Sequence, residues 1–168
     1  MRILGIDPGL VATGYGVIEV SAQYRLECRA AGVIRPSSDD LANRLLQIFE
    51  QMGQLLREFA PDAMAMEDLY MTYSHPRTAI LMGHARGVIF LAGSQFGIPV
   101  TNYAPAEVKR AVTSSGRASK DQVQHMVQRL LSLSALPTPD HVSDALALAI
   151  THSYRDRMTK IIPTRRSQ

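Results

Sequence analysis

Three acidic residues stand where apolar segments stop or begin. Asp7 follows Ile3, Leu4 and Ile6 and is followed at once by Pro8-Gly9. Glu67, with Asp68 behind it, follows the apolar run at 63–66. Asp144 precedes Ala145-Leu146-Ala147-Leu148-Ala149-Ile150, and His141 lies three residues before it. Aspartate suits a strand interior poorly, and a charge at the edge of an apolar run is costly unless solvated or paired. Each acid has an ordinary reading by itself: Asp7 as a turn residue at the Pro-Gly corner, Glu67-Asp68 as a solvated loop. Together they suggest a site. If the segments ending at Asp7 and Glu67 are parallel neighbours, their carboxylates sit side by side at the carboxyl edge of a sheet. Such a pair repels unless a cation or a proton joins it, and hard divalent ions are the natural partners of these oxygens. The spacing of three puts His141 and Asp144 on one face of a helix's first turn.

A basic region lies between these acids. Lys109, Arg110, Arg117 and Lys120 bracket the turn Ser114-Ser115-Gly116. A basic, glycine-containing loop suits the gripping of phosphates, and it also reads as a solvated charge run. Tyr70, three residues past Glu67, is placed either to stack on a base or to pack.

The elements that must position these groups follow from periodicity. Apolar runs predict strands at 3–6, 15–20, 26–34, 63–66 and 98–100, the third antiparallel to the second. Ser37-Ser38-Asp39-Asp40 is a helix-start signal, and Leu41, Leu45, Ile48, Phe49, Met52, Leu55, Leu56 and Phe59 make the apolar face of an amphipathic helix. A second helix over 76–96 is interrupted by His84 and Arg86, which argues for a buried helix and against a membrane span. Its small residues Ala79, Gly83 and Gly87, four apart, point to close helix packing, including between subunits. A short helix opens at Pro105, another follows the cap Ser119, and a last one starts with Asp140 as its N-cap.

These elements predict an α/β fold: a five-stranded mixed sheet flanked by helices, over residues 1–157. Residues 158–168 form a basic, flexible tail. At 168 residues, 46% hydrophobic and 20% charged, the chain fits one globular domain. A single cysteine, Cys28, allows no intrachain disulfide and fits a reducing cytoplasm. The first residues lack a signal-peptide layout. A net charge of +3 and a pI near 9.2 permit a polyanionic partner.

Four segments, ILGIDPGLVATGYGVIE, MAMEDLY, NYAPAEVKRAVTSSGRASKDQVQHMV and HVSDALALAI, resemble in order and over nearly the whole chain the RuvC family of Holliday-junction resolvases. The resemblance implies a ribonuclease H-like fold and a homodimer that nicks four-way DNA junctions in pairs during recombination and repair. It implies products with 5′-phosphate and 3′-hydroxyl ends, work alongside the RuvA–RuvB branch-migration complex, and no membrane association. The family's metal positions fall on Asp7, Glu67, His141 and Asp144, holding two Mg²⁺ or Mn²⁺ ions. Its basic positions fall on Lys109 and Lys120, the latter beside the reacting phosphate, and its aromatic position falls on Tyr70. Arg110 and Arg117 would grip the junction arms.

One position departs from the pattern. Many members carry aspartate where this chain has His141, and Asp140 is an adjacent rival; the spacing of three favours His141. As a ligand, the softer imidazole shifts preference from Mg²⁺ toward Mn²⁺. As a general base, it would deprotonate the attacking water. Two other activities share parts of the pattern. Phosphotransferases of the actin and sugar-kinase type open with a similar strand, acid and glycine-rich hairpin, but usually duplicate the fold. A junction-binding module without catalysis would keep only the basic loop.

Overall fold

The structure is a computed structural model that describes residues 1–68 and 76–161. Strands β1 (Arg2–Asp7), β2 (Thr13–Val20) and β3 (Leu26–Ile34) form an antiparallel meander. Helix α1 (Leu41–Phe59) leads to β4 (Ala63–Glu67), which pairs parallel to β1. Helix α2 (Pro76–Gln95) leads to β5 (Val100–Tyr103), parallel to β4. Helices α3 (Pro105–Thr113), α4 (Lys120–Leu130) and α5 (Asp140–Ile161) complete the chain. The sheet order is β3-β2-β1-β4-β5, the mixed five-stranded sheet expected.

Local signals account for the starts of two helices. Asp40 caps α1 by accepting from the Asn43 N–H at 2.9 Å. Ser119 and Gln122 form a reciprocal capping box at α4, which sets Lys120 in its first turn. Three details differ from expectation, the first being that β2 begins at Thr13, two residues early. The last strand begins at Val100, two residues late, and runs to Tyr103. Asp140 lies inside the first turn of α5. That helix runs to Ile161, and Arg157 stacks its guanidinium 4.6 Å from the Tyr24 ring centre. No helix among the described residues is long and apolar enough to cross a membrane.

Alternation along the strands sorts side chains into two cores. Leu4, Ile6, Val17, Met64 and Met66 face α1 and α2, where they meet Ile48, Met52, Ala85 and Ile89. Ile3, Ile18 and Ala65 face the other way, against Val108, Val123, Val142 and Leu146 of α3, α4 and α5. By the same count Gly5 and Asp7 belong to the α5 face of β1, and Glu67 to the α5 face of β4.

Helix α5 lies directly on strand backbone. A Cβ added at Gly5 would overlap the Ala145 carbonyl, and one at Gly14 the His141 carbonyl. At Gly16 it would come within 2.6 Å of Leu146 Cδ2. Gly5 pairs with Gly16, and Gly14 with Asp7, so the glycines form a bare trough that ends at the aspartate. Gly14→Ala should therefore push the first turn of α5 off the sheet. The expected cost is about 1–3 kcal/mol, read as a lower denaturation midpoint at unchanged slope. Unchanged stability would show that the close approach is not required.

Candidate active site

Asp7 and Glu67 end neighbouring parallel strands, one residue past the paired Ile6 and Met66. Both face α5, whose first turns carry His141 and Asp144. Lys120 approaches from the start of α4. These five side chains line one cavity of about 680 Å³, together with the 8–12 loop, Pro105, Val108 and Lys109. The loop after Asp7 is closed by Thr13, whose Oγ1 donates to Gly9 O at 2.7 Å and accepts from Gly9 N at 3.1 Å. Strand ends, a helix start and a tied turn thus hold every group on a rigid element.

The electrostatics are those of crowded acids. Asp7 is 8% exposed, and its Oδ2 lies 2.6 Å from His141 Nδ1. Lys120 Nζ lies 3.8 Å from Asp144 Oδ2 and 4.0 Å from Asp140 Oδ2. Burial raises the Asp7 pKa, against the hydrogen bond and charge of His141 and the charge of Lys120. Burial and then the charge of Asp7 raise Asp144. Glu67 is pushed from 4.5 to about 7 by burial, then by Asp7 and Asp144.

This donor set fits a divalent cation. Three carboxylates converge on one cavity and resist ionising together, which is the arrangement a hard cation relieves. Among the described residues no three His, Cys, Asp or Glu side chains stand gathered as a group that could hold a metal ion. His141 and Lys120 instead occupy Asp7 and Asp144 as protein partners.

The remaining expected residues divide. Lys109 lines the cavity, whereas Arg110 and Arg117 are exposed outside it. Arg110 is the residue after Lys109 on α3 and so points roughly 100° away, in keeping with the helical period. Tyr70 lies outside the described residues. Two further polar lining residues were not anticipated: Arg44 on α1 and Thr78 on α2. Arg44 carries no sequence signal, since it reads as a polar position of an amphipathic helix.

Glu67 makes the site's electrostatic strain measurable. Its carboxyl is held above its ordinary value, so the folded state binds that proton more tightly than the unfolded chain. Its contribution to stability is therefore present below 4.5 and is lost as pH rises through about 7. Metal-free protein should melt lower at about pH 8 than at about pH 5.5, and Glu67→Gln should flatten that decline and melt above wild type at the higher pH. Glu67→Gln melting below wild type at the higher pH would refute the strain.

Comparison with known proteins identifies the family. The family model described as crossover junction endodeoxyribonuclease RuvC matches residues 3–152. A protein of that name from Rhodopirellula baltica is 48% identical over 153 residues, covering 90% of this chain and 85% of its own. One from Desulforamulus reducens is 46% identical over 154 residues, covering 91% and 93%. The solved structure of Thermus thermophilus RuvC superposes with a TM-score of 0.86 at 34% identity, covering 94% of this chain and 96% of that one. Thermus RuvC has also been solved with a Holliday junction substrate, and that chain gives the same TM-score at 32% identity. A yeast mitochondrial Holliday junction resolvase shares the fold at 13% identity and a TM-score of 0.64. The chain belongs to the RuvC family of crossover junction endodeoxyribonucleases.

Proposed function

We propose that this protein resolves four-way DNA junctions by divalent-metal-dependent hydrolysis of a phosphodiester in each of two opposed strands, in recombination and repair. The observation that carries the reading is the convergence of Asp7, Glu67, Asp144 and His141, from β1, β4 and α5, on one cavity flanked by Lys109 and Lys120. Membership of the resolvase family supplies the substrate.

Bound Mg²⁺ or Mn²⁺, two ions per site, would supply the Lewis acidity that makes water a nucleophile and stabilises the leaving oxygen. Asp7, on the central strand, Glu67, Asp144 and His141 would hold the ions. Lys120, released from Asp144, neutralises charge on the scissile phosphate. His141 has an alternative part, accepting the proton of the attacking water at a ring nitrogen. The cut leaves a 5′-phosphate and a 3′-hydroxyl. Lys109 grips the backbone beside the cavity, while Arg110 and Arg117 extend that grip along the arms. Tyr70 stacks on a base near the crossover. The basic tail adds nonspecific, salt-sensitive affinity.

The working unit we infer is a homodimer. Helix α2 exposes Ile80 at 61% and Leu91 at 60%, and an added Cβ at Gly83 or Gly87 would meet nothing within 4 Å. A helix apolar on its outward side as well as its inward one suits a second copy. Two-fold symmetry then matches the near two-fold symmetry of a junction, so each site faces one of two equivalent strands. We place the dimer in the cytoplasm, acting on junctions delivered by the RuvA–RuvB complex.

A synthetic four-way junction incubated with Mg²⁺ or Mn²⁺ should be nicked in pairs. Asp7→Asn should abolish nicking while still retarding the junction in a gel. A wild-type protein that binds without cutting in either metal would reduce the molecule to a binding module. His141 supports a second measurement, because its replacement by aspartate exchanges nitrogen for oxygen. His141→Asp should shift the ratio of Mn²⁺- to Mg²⁺-supported rates toward Mg²⁺. An unchanged ratio, with a displaced pH profile, would assign His141 to proton transfer.

A further inference from the structure

Arg86 is a cation set deep in the protein. It projects from α2 and retains 6% exposure. Its Nη2 donates to Asn102 Oδ1 at 3.1 Å and faces Asp68 Oδ1 at 3.5 Å. Its guanidinium carbon lies 5.8 Å from the Phe90 ring centre. Burying a guanidinium costs several kcal/mol unless hydrogen bonds and an opposite charge offset it. Apolar contact alone would hold α2 on the sheet more cheaply, as Ala85 and Ile89 do beside it.

The placement of its partners is informative. Asp68 immediately follows Glu67. Asn102 stands opposite Met66 across the β4–β5 ladder, and Tyr103 stands opposite Glu67. Alternation puts Met66, Asp68 and Asn102 on the α2 face, and Glu67 and Tyr103 on the α5 face. The chain around Glu67 is therefore secured from two directions. The Asp68 N–H donates to Tyr103 O at 2.9 Å, extending the ladder past the glutamate. The Asp68 carboxylate is held by Arg86 from the back of the sheet. Tyr103 is itself fixed, its hydroxyl 2.8 Å from His152 Nδ1 on α5.

We propose that Arg86 is a positioning residue for the active site: from the reverse face of the sheet it locks the carboxyl ends of β4 and β5 together, and so fixes where Glu67 presents its carboxylate. This rests on the nuclease reading only in taking Glu67 as a metal-holding group. The planar guanidinium serves because its Nη2 engages both an amide oxygen on β5 and the carboxylate just past the end of β4, from a rigid group that stays charged.

The test reads metal affinity apart from catalysis. Mn²⁺ binding to DNA-free protein is followed by electron paramagnetic resonance of the free ion, beside junction Kd, cleavage rate and melting temperature. Arg86→Met should weaken Mn²⁺ binding and slow cleavage by about 10–100-fold each, with junction Kd unchanged. Arg86→Lys should recover part of both. Ile89→Ala loosens the same helix–sheet contact without touching the strand ends, and should lower the melting temperature while leaving Mn²⁺ affinity intact. Should Arg86→Met fail to fold, Asn102→Ala carries the test, with a smaller loss in the same direction. Wild-type Mn²⁺ affinity in Arg86→Met or in Asn102→Ala overturns the proposal, as does an equal loss in Ile89→Ala. Wild-type protein that neither binds Mn²⁺ nor nicks junctions refutes the nuclease reading and this proposal with it; an active wild type with an unaffected Arg86→Met refutes this proposal alone.

Discussion

The molecule depends on one helix lying on bare backbone. Side chains at Gly5, Gly14 or Gly16 would hold α5 off β1 and β2, and His141 and Asp144 would withdraw from Asp7 with it. Close approach brings more than proximity. It sets His141, on the first turn of a 22-residue helix, 2.6 Å from Asp7, and Asp144 3.8 Å from Lys120. These contacts offset part of the repulsion that the same approach creates.

That offset is incomplete, and the incompleteness serves function. Asp7, Glu67 and Asp144 all have raised pKa values, with burial the largest cause in each. His141 is hydrogen-bonded to Asp7, and Lys120 is an internal counterion to Asp144. Glu67 is shifted furthest and borrows the charges of Lys120 and Arg86 at longer range. Residues arranged for stability alone would not gather three carboxylates on one face of a sheet. The strain is tolerated because two apolar cores, one on each face, over-determine the strand positions.

The two faces divide the work. On the α5 side, reacting groups line an open cavity. On the α2 side, apolar packing is broken by a buried arginine beside the strand ends. The outward surface of α2 then carries Ile80, Leu91 and the small-residue stripe. One helix therefore supports the active-site strands with one side and offers an apolar surface with the other.

Much of this was legible from spacing. Apolar runs ending on Asp7 and Glu67 marked strand ends, and three residues between His141 and Asp144 marked a shared helical face, because both patterns follow from the periods of strand and helix. Capping at Asp40 and Ser119 was equally local. Other features have no local signature. Arg86 reads as a mere interruption of an apolar helix, Gly5 as one more strand residue, and Arg110 as the equal of Lys109. Their roles depend on which element lies across from them. The sequence by itself determined the strand ends at Asp7 and Glu67 and the helix starts after Asp40 and Ser119, since backbone geometry ties those choices to neighbours a few positions away. Only the tertiary structure decided that β4 pairs with β1 and that α5 settles into a glycine trough, because these contacts join residues distant in the chain, such as Ile3 with Ala63 and Gly5 with Ala145, and depend on how whole surfaces fit.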